Sequence, residues 1–93
     1  MLRLTESPGG EGETILRVDG WLDGDYVELL EREGALYLAA GGSLVLDLGG
    51  LRFADRAGIE LLLRWSRAGV QLRNPSPFVQ RLLDDNGGGV SLR

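Results

Sequence analysis

The sequence SLVLDLGGLRFADRAGIELLL, residues 43–63, decides the fold. Its apolar run at 44–48 is followed by the pair Gly49-Gly50, and a run so short predicts a strand buried on both faces. Asp55 precedes a helical pattern and suits a helix N-cap, because its carboxylate accepts hydrogen bonds from the free amides of the first turn. The stretch therefore predicts strand, loop and helix start, and the loop after such a strand is a common place for a site.

The helix predicted from Asp55 to about Ala68 has a wide apolar arc. Ile59, Leu62, Leu63 and Ser66 form its core stripe. Leu61 and Trp65 fall on a flank, so they either pack under a neighbouring helix or form an exposed apolar strip for docking. Gly58 lies in the first turn, where it lowers helix stability, and tight packing on the sheet is the commoner reason for such a glycine.

The rest of the chain alternates strands with helices. Strands are predicted at 2–5 and 13–20 as an antiparallel edge pair, with a turn at 6–12, and another strand at 70–72. Helices are predicted from 25 to about 40, with Asp23 or Asp25 as its cap, and from Pro77, with Ser76 as its cap and an end within 84–89. Phe78, Val79, Leu82 and Leu83 form the apolar face of that last helix, and 90–93 offers a possible final strand.

This order predicts an α/β domain with a mixed, mainly parallel sheet of about four or five strands and helices packed against it. The length of 93 residues predicts that 1–93 is a single domain.

The composition disfavours catalysis. The chain has no cysteine and no histidine, and all ten basic residues are arginines. The commonest general base, the commonest metal ligand and the thiol nucleophile are therefore missing, as is the lysine of phosphate loops. We expect no catalytic residue, no metal and no cofactor.

The charge points to protein partners. The net charge of −4 argues against nucleic acid, and no apolar run is long enough to span a membrane, so a cytoplasmic location is the default. Residues 1–47 carry −7 and residues 48–93 carry +3. The basic half could face an acidic partner, although solvated helix faces carry charge without any partner.

Two aspartates leave a catalytic alternative open. Asp47 ends the central strand, as a phospho-accepting aspartate does, but that chemistry also uses a lysine and this chain has none. An enzyme that works with the carboxylates of Asp47 and Asp55 is the remaining catalytic hypothesis.

Four segments together resemble the STAS domain, the fold of bacterial anti-sigma factor antagonists that also occurs in sulphate transporters. They are LRVDGWLD at 16–23, LVLDL at 44–48, LRFADRAGI at 51–59 and SPFVQRLL at 76–83. The resemblance extends from Glu13 to about Gly88. It implies a STAS-like fold and a protein that acts by binding another protein.

The resemblance also implies which residues matter. In the antagonists this helix begins Asp-Ser-Ser-Gly, and a partner kinase, which is also the anti-sigma factor, phosphorylates the second serine. Asp55 and Gly58 keep the motif, whereas Arg56 replaces the first serine and Ala57 replaces the phospho-acceptor. The phosphorylation switch is therefore not expected to operate.

A second group of STAS proteins offers an alternative. These are accessory subunits of lipid-transport ABC systems, which bind the ATPase and resemble Asp-Thr-Ala-Gly at this turn. The partner is thus expected to be an anti-sigma factor kinase or an ABC transporter ATPase, and the oligomeric state stays open. The partner-binding residues predicted from the helix and its start are Asp55, Arg56, Ala57, Gly58, Leu61, Arg64 and Trp65.

Overall fold

The computed structural model describes residues 1–87, which form four strands and three helices. The strands are β1 (Leu2–Pro8), β2 (Glu13–Leu22), β3 (Ser43–Ala54) and β4 (Gln71–Arg73). The helices are α1 (Asp25–Ala39), α2 (Arg56–Arg67) and α3 (Pro77–Gly87). This order confirms the predicted alternation of strands and helices.

The sheet has the strand order β1-β2-β3-β4. β1 runs antiparallel to β2, while β2–β3 and β3–β4 are parallel pairs. Each parallel pair is joined by a helix, α1 or α2, because a crossover must return the chain to the same end of the sheet. The predicted mixed, mainly parallel sheet is confirmed.

One face of the sheet and the three helices enclose the core. Leu16, Val18 and Leu22 supply it from β2, where every second side chain points inward. On the opposite face the intervening side chains, from Ile15 to Trp21, stay half-buried or exposed. The helices therefore cover the first face, and the second, which we call the open face, presents mostly polar side chains to solvent.

The glycine pair at 49–50 does not end the central strand, which corrects the sequence prediction. β3 continues to Ala54 and takes up its two additional residues as bulges opposite β2, between Asp47 and Gly50 and between Leu51 and Phe53. Gly50 faces Asp19, whose carboxylate occupies the space that a Cβ at position 50 would need. The sequence alone does not separate a loop from a bulge at this pair, because glycine marks bulges as well as turns.

Smaller differences concern the ends of elements. β1 reaches Pro8 instead of Thr5, whereas α3 extends to Gly87, which lies within the predicted range of 84–89. The cap of α1 is Gly24, at φ 54°, and neither Asp23 nor Asp25 caps the helix. The Ser76 hydroxyl accepts a hydrogen bond from the Val79 amide at 3.2 Å, which confirms the cap of α3. Phe78, predicted to face the core, is 52% exposed, and the possible strand at 90–93 lies outside the described residues.

A hydrogen bond joins the edge strand to α1. The Tyr37 hydroxyl donates to Oε1 of Glu6 at 2.7 Å. This hydrogen bond to a carboxylate raises the pKa of Tyr37, and desolvation and the charges of Glu6 and Glu33 raise it further. The neutral phenol thus supports the contact between β1 and α1.

We expect alkaline pH to weaken this contact. Because the pKa of Tyr37 is higher in the folded chain than in the unfolded one, its contribution to stability is present below the ordinary tyrosine pKa of about 10 and is lost as pH rises through the folded value. In a Tyr26→Phe background, absorbance at 295 nm should show Tyr37 titrating at lower pH once Glu6 is changed to Gln. An unchanged midpoint would contradict the role of Glu6.

Candidate functional site

Asp55 holds the starts of two helices together. Its Oδ1 accepts from the Gly58 amide at 2.8 Å, which caps α2 as predicted. Its Oδ2 accepts from the Gly24 amide at 3.0 Å, at the start of α1. Its own amide donates to the Leu22 carbonyl at 3.0 Å, at the end of β2. One side chain therefore fixes the relative position of β2, α1 and α2.

Gly58 lets α2 approach the sheet. A Cβ at this position would lie 2.6 Å from the Leu22 carbonyl oxygen and 3.0 Å from the Leu22 Cγ. Real Cβ atoms do not come so close to backbone oxygen, so the glycine is required by packing. The structure confirms the expectation of tight packing on the sheet.

The residues between Asp55 and Gly58 point to solvent. Arg56 and Ala57 are both exposed, and the Arg56 side chain, 87% exposed, forms only a loose ion pair with Glu60 at 3.8 Å. One turn further, Arg64 reaches across to Glu31 of α1 at 2.6 Å. We call Arg56, Ala57, Glu60 and Arg64 the helix-start surface.

Leu61 and Trp65 do not belong to this surface, which corrects their assignment to an exposed strip. Leu61 is 2% exposed and Trp65 is 6% exposed, and both belong to the core. The physical reason is Gly34, because the Trp65 ring occupies the space where a side chain on that residue of α1 would stand. The alternative interpretation, in which Trp65 packs under a neighbouring helix, is the correct one.

The two aspartates proposed for catalysis have their carboxylates engaged in local structure. Asp47 accepts from the Gly49 amide at 2.9 Å and from the Asn74 side chain at 3.3 Å, and it lies 3.6 Å from Arg17. The oxygens of Asp55 serve the two helix starts. Both carboxylates therefore act as hydrogen-bond acceptors for backbone amides.

An open hollow of about 600 Å³ lies beside the helix starts. Its lining comprises Asp23, Gly24, Asp25, Tyr26, Phe53 and Asp55. No side chain in it offers a nucleophile other than the Tyr26 hydroxyl and carboxylates. The hollow is open to solvent, and Asp55 in its lining directly precedes the exposed Arg56 and Ala57 in sequence.

Sequence reasoning missed an aromatic pair on the open face. Trp21 and Phe53 are 52% and 36% exposed, with ring centroids 5.8 Å apart. A signal was available for Trp21, because it continues the odd-numbered positions of β2 that hold Arg17 and Asp19. Phe53 could not be placed, since the two bulges shift the alternation of β3.

Comparison with known families decides the identity of the fold. The family model described as "Mlab, STAS domain" matches residues 8–87. The chain belongs to the STAS domain family.

Two solved STAS-like structures resemble the chain over most of its length. The unphosphorylated form of the anti-sigma factor antagonist SpoIIAA superposes with a TM-score of 0.71 and is 20% identical, covering 98% of this chain and 87% of its own. An antisigma-factor antagonist STAS domain from Rhodobacter sphaeroides gives a TM-score of 0.54 at 21% identity, covering 82% and 92%. At such identities the likeness establishes the STAS fold.

No curated protein matches the chain significantly. Across residues 1–87, no helix is long and apolar enough to cross a membrane. Within the same part of the STAS domain, no group of three or more acidic side chains is placed to hold a metal ion.

We predict that Asp55→Ala loosens both helix starts of this STAS domain. Loss of an N-cap costs about 1 kcal/mol, and the Gly24 amide also loses its acceptor, so the free energy of unfolding should fall by about 2 kcal/mol. Hydrogen exchange should accelerate at the amides of both Gly24 and Gly58. Faster exchange at Gly58 alone would show that the hydrogen bond from the Gly24 amide to Asp55 does not stabilise the start of α1.

Proposed function

We propose that this chain is a non-catalytic regulatory domain that binds an anti-sigma factor of the kinase type without the usual serine switch. The contact is made by the helix-start surface, and the domain acts in the cytoplasm. Asp55 and Gly58 contribute as the frame that holds this surface, through their contacts with Gly24 and Leu22.

One observation carries the proposal. Asp55 and Gly58, which match the ends of the antagonists' Asp-Ser-Ser-Gly motif, are tied into the fold, whereas the two residues between them are exposed. By the resemblance of this turn to that motif, Arg56 and Ala57 correspond to the antagonists' two serines, and their exposure supports the proposal. Alanine has no hydroxyl, so a kinase could dock here without transferring phosphate to this position. Regulation would then depend on the amount of protein.

The hydrogen bonds of Asp47 and Asp55 disfavour the hypothesis of a carboxylate-based enzyme. Asp47 and Asp55 each accept hydrogen bonds from backbone amides, so both carboxylates already serve the local structure. A general base must also lie within hydrogen-bond reach of the proton that it removes from a substrate, and in the described part of the chain no feature beside these carboxylates indicates such a substrate. The proposal therefore assigns the site to binding.

The second candidate function is that of an accessory subunit of a lipid-transport ABC system that binds its ATPase. Ala57 favours it, because the subunits of that kind resemble Asp-Thr-Ala-Gly at the same turn. Arg56, at the threonine position, departs from that pattern. The same exposed surface would serve either partner, so the identity of the captured protein separates the two functions.

Affinity capture from the native cytoplasm tests the proposal. We expect the wild-type domain to retain an anti-sigma factor with a kinase fold, and Arg56→Glu to retain at least about tenfold less of it. The new carboxylate would face an acidic partner surface, and like charges opposed in an interface cost on the order of several kcal/mol. Arg67→Glu is the matched control, because it makes the same change in charge near the other end of α2, on another exposed arginine.

The outcomes are distinct. Capture of an ATPase with its permease would replace the regulatory function with the transport function. Equal retention by wild type and Arg56→Glu would show that the helix-start surface is not the interface. With the captured kinase and ATP, Ala57→Ser should gain phosphate at position 57 while the wild type gains none there; labelling of neither protein would argue against a docked kinase at this turn.

A further inference from the structure

A second surface on the open face has the chemistry of a binding groove. It is an open groove of about 760 Å³ at the end of β2, on the side of the sheet that the helices leave uncovered. Its lining comprises Met1, Arg3, Arg17, Asp19, Gly20, Trp21 and Arg52. None of these residues belongs to the helix-start surface, so an inference from the groove does not rest on the proposed function.

Aromatic surface is exposed along this groove. Trp21 leaves about half of its surface in water, and Phe53 packs beside it with the ring planes at 57°. A cross-strand aromatic pair stabilises a sheet through the ring surfaces that touch each other. The outer half of the indole remains available, and tryptophan is among the side chains enriched at interface hot spots.

The backbone of Met1 and of residues 20–21 is closely packed at one side of the groove. Gly20 has a φ of 101°, and a Cβ there would collide with the Met1 carbonyl. That carbonyl accepts from the Trp21 amide at 2.8 Å. The first residues of the chain are thereby fixed against the indole. The backbone that carries Trp21 and Arg3 is consequently held in place before any ligand arrives.

The groove is basic although the chain is acidic. Its ionisable side chains are three arginines and one aspartate, in a chain whose net charge is −4. Asp19 is matched by Arg17, whose Nε lies 3.0 Å from Oδ1. Within residues 1–87, Arg3 and Arg52 form no salt bridge. The groove therefore has about two positive charges that an anionic ligand would neutralise.

The charge and the size of the groove indicate which kind of ligand it binds. A nucleic acid strand is a long polyanion, and the net charge of −4 makes its binding unfavourable. A short acidic segment needs only the groove itself. An apolar side chain within that segment would cover the exposed half of the indole, and its carboxylates would pair with Arg3 and Arg52.

We infer that this groove binds an acidic segment of a partner protein, with an apolar side chain of that segment on Trp21 and its carboxylates on Arg3 and Arg52.

The test uses a short synthetic peptide of Glu, Asp and Leu, titrated into the full chain labelled with ¹⁵N. The two tryptophans give two indole N–H signals, which Trp21→Phe assigns. We expect the Trp21 indole and the Arg3 and Arg52 amides to shift on titration, while the buried Trp65 indole does not. Peptides with Lys in place of the acids, or Ser in place of Leu, should bind far more weakly.

Two variants set the expected magnitudes. Arg52→Glu should weaken peptide binding about tenfold, and Trp21→Ala about thirtyfold, as truncation of a hot-spot aromatic does. Arg67→Glu, on the helix-covered side of the chain, should bind as the wild type does. A dispersed spectrum shows that a variant is folded. If Trp21→Ala does not fold, Arg52→Glu still tests the inference.

Three results would overturn the inference. The first is that the Trp21 indole signal does not shift at millimolar peptide. Tighter binding of a single-stranded oligonucleotide than of the acidic peptide, at the same groove signals, would assign the groove to nucleic acid. Shifts at these signals that depend on protein concentration without peptide would assign it to a second copy of the chain.

Discussion

Gly34→Val should lower the free energy of unfolding by about 2–3 kcal/mol, the typical cost of overpacking a filled core after the small helix-propensity gain of valine over glycine. A Cβ at this position would overlap the six-membered ring of Trp65, with Cζ3 and Cζ2 within 2.8 and 2.9 Å. Trp65 is 6% exposed and held within the core, so its ring has nowhere to move.

Urea unfolding measures this effect, and two variants isolate its cause. Ala35→Val places the same side chain on the next, exposed residue of α1 and should cost only about 0.5 kcal/mol. In a Trp65→Leu background, Gly34→Val should cost at least about 1 kcal/mol less than in the wild type, because neighbours in contact are not additive. Equal costs in the two backgrounds would contradict a clash with the indole.

Gly58→Ala should lower the free energy of unfolding by about 2 kcal/mol, although alanine is the better helix former by about 1 kcal/mol. The new methyl group would lie 2.6 Å from the Leu22 carbonyl oxygen, which is main chain and cannot rotate away. That oxygen accepts from the Asp55 amide. Moving α2 outward to relieve the clash would therefore stretch the hydrogen bond from the Asp55 amide, which positions the N-cap of α2.

The exposed neighbour supplies the control for Gly58. Ala57→Gly makes the reverse change one residue earlier and should cost about 1 kcal/mol through helix propensity alone. If Gly58→Ala stabilises the chain by a similar amount, the contact with Leu22 is not limiting. Exchange at the Asp55 amide should accelerate in Gly58→Ala and stay near the wild-type rate in Ala57→Gly.

Local patterns were sufficient to predict the order of elements. The alternation in β2, the apolar spacing in α2 and the caps Asp55 and Ser76 are properties of neighbouring residues, which the sequence displays directly. The parallel pairing followed from the helices that separate the strands. The frame of the site, Asp55 and Gly58, was predicted by the same short-range signals.

What the sequence did not disclose depends on contacts between distant residues. Trp65 was placed on a flank of α2, and only the position of Gly34 on α1 shows that the flank is covered. The exposure of Phe53 depends on bulges whose positions are set by pairing with β2. The Gly24–Asp55 hydrogen bond joins residues 31 positions apart, and no local pattern encodes it.

The central place of β3 has a consequence for how the chain folds. β1 and β2 form a hairpin from adjacent sequence, but an isolated two-stranded ribbon is marginal in water. The edge of β2 that faces β3 stays unpaired until the chain has been synthesised through Ala54. Within residues 1–87, β4 pairs with β3 alone. We therefore expect folding to wait for β3 and then to proceed in one cooperative step, so that fragments ending before residue 43 remain unfolded.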